Sequence, residues 1–589
     1  MKSSTKFQLL AGLLFALTMN LRAADPLVDS WLTTYSGKYA RIYTTDANKT
    51  NGVAVSTWSN GSQTQSLPAY AGVQEIYSSA SWLYVRSTGL GAHVMGPWYL
   101  NAAHTMAFPN YPVNQKTLWR FPRTNTIPGT KTQTGLGTIG LFVDGVAMFD
   151  SSDGFVWTGS AESGNGTGYW HREAYANEGV TFDPGYAHQE QTGTHHYHAN
   201  PFALRYLLGD HVDFNSTTKI YSESTNAVTK HSPILGWVRD GLPIYGPYGY
   251  SNALDSASGV RRMVSGFQLR NGVNGTDNLT TAGRGTIPAW AQRLYNVGAA
   301  QSGPAVSTTY PIARYMEDYA YLGDLTNSAT GTNFQQGVEF DLNEYNVRYC
   351  VTPEFPGGTY AYFVSIETNG TPKYPNNIGR AFFGSPTGSS QTSIGETVTT
   401  NYIGGASNTL TINPPIVGSS TVTLSWSSVE GGTYVIESST NFPVWSNKLS
   451  NVVAQQGVTT QTNFTRISGH EFYRVARTAL ANYDPVSGTG GGGGGGNTSV
   501  VPGGSSNRGT NVTVTITLPG TPPSPPANAP ITSVTLAGTI YGSNTTYAVQ
   551  GTVITTFTIP TNAPTGAQNV VVTFNIPVFT FTGGFTINP

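Results

Sequence analysis

The sequence predicts a mainly β, multidomain protein: a large central β domain of two pseudo-repeated halves, followed by small β-sandwich modules. Three observations carry this. Only 10% of the 589 residues are Asp, Glu, Lys or Arg, against about 25% in an average soluble chain. Polar surface must then come from Ser, Thr, Asn and Gly, and Thr, Tyr and Phe favour pleated surfaces while Gly and Asn favour turns. Two segments, Ile139–Phe149 and Leu235–Tyr245, echo each other around a shared Asp-Gly pair, as a duplicated hairpin would. Period-two alternation, the mark of half-buried strands, recurs towards the C-terminus.

The elements follow in chain order. Lys2 and Lys6, the apolar run Leu9–Met19 and the small residues Ala23 and Ala24 have the three-part layout of a signal peptide over residues 1–23. A secreted or cell-surface protein is expected. Residues 27–135 form an aromatic-rich N-terminal β region packed on the domain that follows. Trp82–Arg86 reads as a strand there, and Ser59-Asn60-Gly61 as a hairpin end. The central domain spans 136–385. Residues 405–480 predict a small β-sandwich, since Val422, Leu424 and Trp426 alternate with polar residues; it is similar to immunoglobulin or fibronectin type III modules. Residues 485–511 hold the glycine run Gly490–Gly496, which has no side chains to bury and reads as a linker. Residues 512–589 form a C-terminal β module, with Val512, Val514 and Ile516 alternating, then Val570, Val572 and Phe574.

Several function classes recede. A net charge of −1 supplies no field to attract nucleic acid. Beyond the signal, no segment approaches the roughly 20 apolar residues that span a bilayer, so no transmembrane segment is expected. Cys350 is the only cysteine, which rules out an intrachain disulfide and reads as a small buried apolar residue. The many aromatic residues suit a surface or polysaccharide contact.

The chemistry concentrates in the histidines. Seven of ten lie between 171 and 231: His171, His188, His195, His196, His198, His211 and His231. In an extended Gly193–Asn200, His196 and His198 share one face with Cβ atoms roughly 7 Å apart, while His195 and Tyr197 face the other way. Two imidazoles at that spacing can converge on one ion, and imidazole suits zinc, copper or iron. The candidate ligands are therefore His196 and His198, joined by His188, His211 or His231. Glu190, Asp210, Glu339, Asp341 and Glu344 are carboxylates that could serve as a base beside bound metal. His93 and His104 read as packed or exposed imidazoles outside this group. Three functions compete: metal binding, adhesion or carbohydrate binding with structural histidines, and metal-dependent catalysis on an unknown substrate.

The run Thr194-His195-His196-Tyr197-His198-Ala199-Asn200-Pro201 resembles the motif that gives the YHYH family its name, with His195 in place of the first tyrosine. The resemblance continues through Leu208-Gly209-Asp210-His211, His231–Trp237 and Asp240–Tyr248. It implies the family's fold and marks His196, Tyr197 and His198 as motif residues. It also implies histidines in both halves, yet Ala361 and Phe363 stand where a second pair is expected. Asp144 and Asp240 read as residues of type I′ hairpin turns.

Overall fold

The computed structural model describes residues 25–32, 37–408, 410–441, 444–454, 459–466, 471–486, 505–507, 511–517, 531–536, 540–549, 552–564, 566–574 and 578–588. The expected signal peptide and most of the glycine-rich linker lie outside the described residues. The chain is mainly β, 36% strand and 10% helix, so helices act only as short connectors. It divides into two compact units, one holding Met1–Glu430 and the other Tyr473–Pro589, with the stretch between shared out. Among the described residues, no helix is long and apolar enough to cross a membrane.

An eight-stranded sheet organises the first unit. Its strands are β1 (Gly140–Phe142), β2 (Ala147–Met148), β3 (His188–Gln189), β4 (His195–Tyr197), β5 (Ile234–Val238), β6 (Pro243–Tyr245), β7 (Val347–Cys350) and β8 (Thr359–Phe363). Their order across the sheet is β3-β4-β2-β1-β5-β6-β8-β7. Outward from the central antiparallel pair β1·β5, in which Trp237 lies opposite Leu141, the two sides repeat. Each has a hairpin, then a parallel strand, then an antiparallel edge. Tyr197 of β4 lies opposite Met148, and Tyr362 of β8 opposite Ile244. The two expected halves are present, and the register makes Tyr197 and Tyr362 equivalent. By the same register His196 corresponds to Ala361, and His188 to Arg348. Phe363 then takes the place of His198.

Asp144-Gly145 and Asp240-Gly241 occupy matching turns. Gly145 donates to the Phe142 carbonyl at 2.8 Å and Gly241 to that of Val238 at 2.9 Å. Asp144 Oδ1 accepts the N–H of Val146 at 3.2 Å, and Asp240 Oδ1 that of Leu242 at 3.1 Å. The turn type differs from the sequence expectation. A type I′ turn needs positive φ at both central residues, but only the glycines are left-handed, at 79° and 78°. The ladder closes between Phe142 and Val146, and between Val238 and Leu242. Each loop thus has three residues, a type I turn followed by a left-handed glycine. A Cβ on Gly145 would stand 2.1 Å from Ser87 Oγ, and one on Gly241 2.8 Å from Pro122 Cγ. Each tyrosine of the pseudo-repeat faces the aspartate of its own hairpin. Tyr362 donates to Asp240 Oδ2 at 2.7 Å, and Tyr197 lies against Asp144.

The N-terminal region supplies a second sheet. Strands Val73–Ser78, Trp82–Ser87 and Thr117–Pro122 form its centre, and Ser389–Ser390 and Thr399–Ile403 return to flank them. Ile76, Leu83, Val85 and Phe121 share one hydrophobic core with Leu141, Phe142, Trp237 and Ile244. The region is packed on the central sheet rather than standing apart from it. Trp58–Asn60 pairs with Gln63–Gln65 across the expected hairpin. Cys350 is buried on β7, and burial pushes its thiol up to about 12, which makes it inert.

Towards the C-terminus, Val422, Leu424 and Trp426 are buried on strand Thr421–Ser427 of the first unit, which pairs with Thr459–Thr465. Gly432–Ser439 pairs with Ser446–Val453 in the second unit. The alternating segments near the end become strands Asn511–Thr517 and Gly566–Phe574 of a seven-stranded sheet.

Candidate metal centre

Strand β4 is held between β3 and β2, and its extension turns His196 and His198 to one side. Their Nε2 atoms are 3.1 Å apart. The β3–β4 register sets His188 directly opposite His196, with ring centroids 4.6 Å apart. One donor atom from each of the three histidines lies within 4.8 Å of the others. A carboxylate completes the group. The short helix α1 (Ala174–Glu178) starts where Glu173 accepts the N–H of Ala176 at 2.6 Å, and it ends on Glu178. Glu178 Oε2 lies 3.3 Å from His198 Nε2 and 3.7 Å from His188 Nε2.

Hydrogen bonds on the far side of each ring fix which nitrogen carries the proton. His196 Nδ1 lies 2.9 Å from the Thr194 carbonyl, and His198 Nδ1 2.7 Å from the Asp150 carbonyl. A carbonyl only accepts, so both Nδ1 atoms must donate. His188 Nδ1 lies 2.7 Å from Thr181 Oγ1, whose own proton goes to the Glu178 carbonyl at 2.7 Å. This Nδ1 donates as well. In the neutral imidazoles all three Nε2 atoms then carry lone pairs, and all three point at one spot. Two lone pairs facing at 3.1 Å repel unless something positive lies between them. A proton is a poor answer: burial lowers the pKa of His188, His196 and His198, and neighbouring imidazoles add to this for His188 and His196. His188 Nε2 and Glu178 Oε2 also have no hydrogen-bond partner. Such orphans are rare in buried positions.

The spacing matches an ion. Donors bonded at about 2.0–2.1 Å in a tetrahedron stand about 3.3 Å apart. The contacts of 3.1, 3.3 and 3.7 Å bracket that separation. Aromatic rings orient the ligands: Phe149 stacks on His196 at 3.8 Å, and Phe182 meets His188 edge-on at 4.8 Å. In the metal-free protein, burial pushes the Glu178 carboxyl up to about 8, with the Asp153 charge adding and Arg172 opposing.

Of the five residues expected as ligands, His188, His196 and His198 are brought together, and His211 and His231 are not. His211 follows the left-handed Gly209 turn, is itself left-handed, and packs on Tyr248. His231 belongs to the other half of the sheet, where it packs on Tyr245 and Phe363 and its Nδ1 donates to the Ser232 carbonyl at 2.7 Å. There Phe363 and Ala361 have replaced the histidines, so His231 has no partners for a site. The carboxylate is Glu178, which sequence reasoning missed, and not one of those anticipated. Asp210 is tied to Arg205 at 2.8 Å, and Glu190 accepts the Thr192 N–H at 2.8 Å. His104 stacks on Tyr99 at the surface, as expected. His93, in contrast, is buried beside His195 and Asp183.

An open cleft of about 540 Å³, lined by Lys131, Trp290, Arg293, Glu344 and Tyr345, lies away from these residues. Its cations are already engaged, Arg293 with Asp324 and Glu344, and Lys131 with the Phe383 carbonyl. The chemistry therefore points to the histidines.

The fold and site define a class: a duplicated β-sheet domain with a buried histidine cluster on one half. Residues 118–375 match the family model described as YHYH protein. The match begins on strand Thr117–Pro122, in keeping with the core that this strand shares with the central sheet. No curated protein matches the chain.

Proposed function

We propose that this is an exported protein that binds a transition metal ion through Nε2 of His188, His196 and His198, with Glu178 as fourth donor. The observation that supports it is the convergence of three proton-free Nε2 atoms whose opposite nitrogens all donate outward. Carbonyl and hydroxyl acceptors on the outward nitrogen fix ring orientation and tautomer in metal sites. Zinc, copper and iron all accept such donors. Export rests on the charged, apolar and small-residue segments of the first 24 residues.

Metal analysis of the mature protein tests the binding. Wild type should retain zinc, copper or iron after dialysis, and His196→Ala/His198→Ala should lose the share held at this site while keeping its β circular dichroism. Wild type free of all three metals, and unable to take them up, would return the histidines to a structural role. Protein recovered outside the cytoplasm should begin near Ala24 or Asp25; an intact Met1 there would count against a cleaved signal.

A further inference from the structure

Adjacent side chains on a strand point to opposite faces, so His195 turns away from His196 and His198. On its own face it meets His93 and Asp183, and one donor atom from each of the three lies within 4.8 Å of the others. The two imidazole rings are 6.0 Å apart, and Trp98 meets His195 edge-on at 5.9 Å. All three residues are buried, His195 at 0% exposure.

Asp183 is held in place by its own loop. Its carboxylate accepts the N–H groups of Gly96 and Gly185, each at 2.8 Å, and of Ala187 at 3.2 Å. Asp183 Oδ2 lies 3.4 Å from His93 Nε2. The chain also leaves room for this ring: a Cβ on Gly185 would stand 2.6 Å from His93 Nε2.

The remaining ring nitrogens are unsatisfied. His93 Nδ1 and both nitrogens of His195 have no hydrogen-bond partner. A neutral imidazole carries one N–H and one lone pair, and at His195 both are without a partner among the described residues. Buried polar groups are seldom left unpaired. Asp144 brings a second buried carboxylate into the electrostatic reach of His93. The face therefore sets ring nitrogens without partners beside a buried carboxylate, the two features that a divalent cation answers.

We propose that His93, His195 and Asp183 form a second metal site, back to back with the first across strand β4. Two imidazoles and one carboxylate suit a divalent transition ion, iron(II) foremost, with further positions left for other ligands. The two sites are built from the same two segments. The stretch Thr181–His188 supplies Asp183 to one and His188 to the other, and β4 supplies His195 to one and His196 to the other. His195 is also where this chain departs from the motif's first tyrosine.

Cobalt(II) titration of the metal-free, full-length mature protein tests this, read by visible absorption and by the metal bound after gel filtration. Wild type should bind two equivalents. His196→Ala/His198→Ala should bind one, and so should His195→Phe, which keeps a ring against Trp98. The triple variant should bind none. Should His195→Phe lose its near-ultraviolet circular dichroism, His93→Gln serves in its place. A single wild-type equivalent that survives in His195→Phe, or a His195→Phe protein that still binds two, would overturn the second site and leave the first intact. One equivalent lost only in His195→Phe would overturn the first site and leave the second.

Discussion

Glu178→Gln should make the metal-free protein more stable at neutral pH while weakening its hold on metal. The reason lies in the carboxyl's environment. Burial first, then the Asp153 charge, push its pKa from 4.5 up to about 8 in the folded protein. A carboxyl with a higher pKa folded than unfolded binds its proton more tightly in the folded state. Stability is then full below about pH 4.5 and falls as pH rises towards about 8. Each tenfold difference in proton affinity is worth about 1.4 kcal/mol. The penalty is therefore below about 1 kcal/mol at pH 5 and about 3 kcal/mol at pH 7. Glutamine has the same shape and no proton to lose, so the variant escapes it. For a unit of roughly 400 residues, 3 kcal/mol corresponds to about 4 °C in melting temperature. The histidine terms run the other way, since their lowered pKa values cost stability as pH falls below about 6.5. They are common to both proteins and cancel in the difference. The assay is thermal unfolding of both proteins in chelator at pH 5 and pH 7. The expected gap is near zero at pH 5 and about 4 °C in favour of the variant at pH 7. Added zinc should raise wild type more than the variant. A Glu178→Gln protein that melts below wild type at pH 7 in chelator would refute this reasoning.

Two further predictions concern the supports of the site and of the fold. Thr181→Val keeps the side chain's shape but removes the acceptor for His188 Nδ1; metal affinity should fall about 10–100-fold in competition with a chromophoric chelator, and the unpaired His188 N–H should cost about 1–3 kcal/mol of stability. Tyr362→Phe removes the bond to Asp240 and the acceptor for the Phe383 N–H; it should cost about 1–3 kcal/mol in urea unfolding and leave the metal content unchanged.

The duplication was legible because each half repeats an apolar run around Asp-Gly, and a hairpin keeps that pattern local in sequence. The turn type was not, since Asp-Gly fits both a two-residue turn and a three-residue turn ending in a left-handed glycine. The pairing of His196 with His198 followed from strand geometry alone. His188 was within reach as a candidate because it lies near in sequence, but nothing local distinguished it from His211 and His231. That distinction comes from the β3–β4 register, which is a tertiary fact. Glu178 was hidden for a related reason: it ends a five-residue helix whose approach to the sheet no periodicity announces. His93 is packed, one of the two readings its sequence allowed, but its neighbours Asp183 and His195 lie 90 and 102 residues further on, so no local pattern announces them.

The central claim is that three Nε2 atoms and one carboxylate oxygen share a metal ion. An anomalous difference map from crystals of the metal-loaded protein, recorded at the metal's absorption edge, tests this most directly. A peak is expected at about 2.0–2.3 Å from Nε2 of His188, His196 and His198 and close to Glu178 Oε2, with each Nδ1 still bonded to Thr181, Thr194 or Asp150. A map with no peak there, or histidine rings turned so that Nδ1 faces inward, would contradict it.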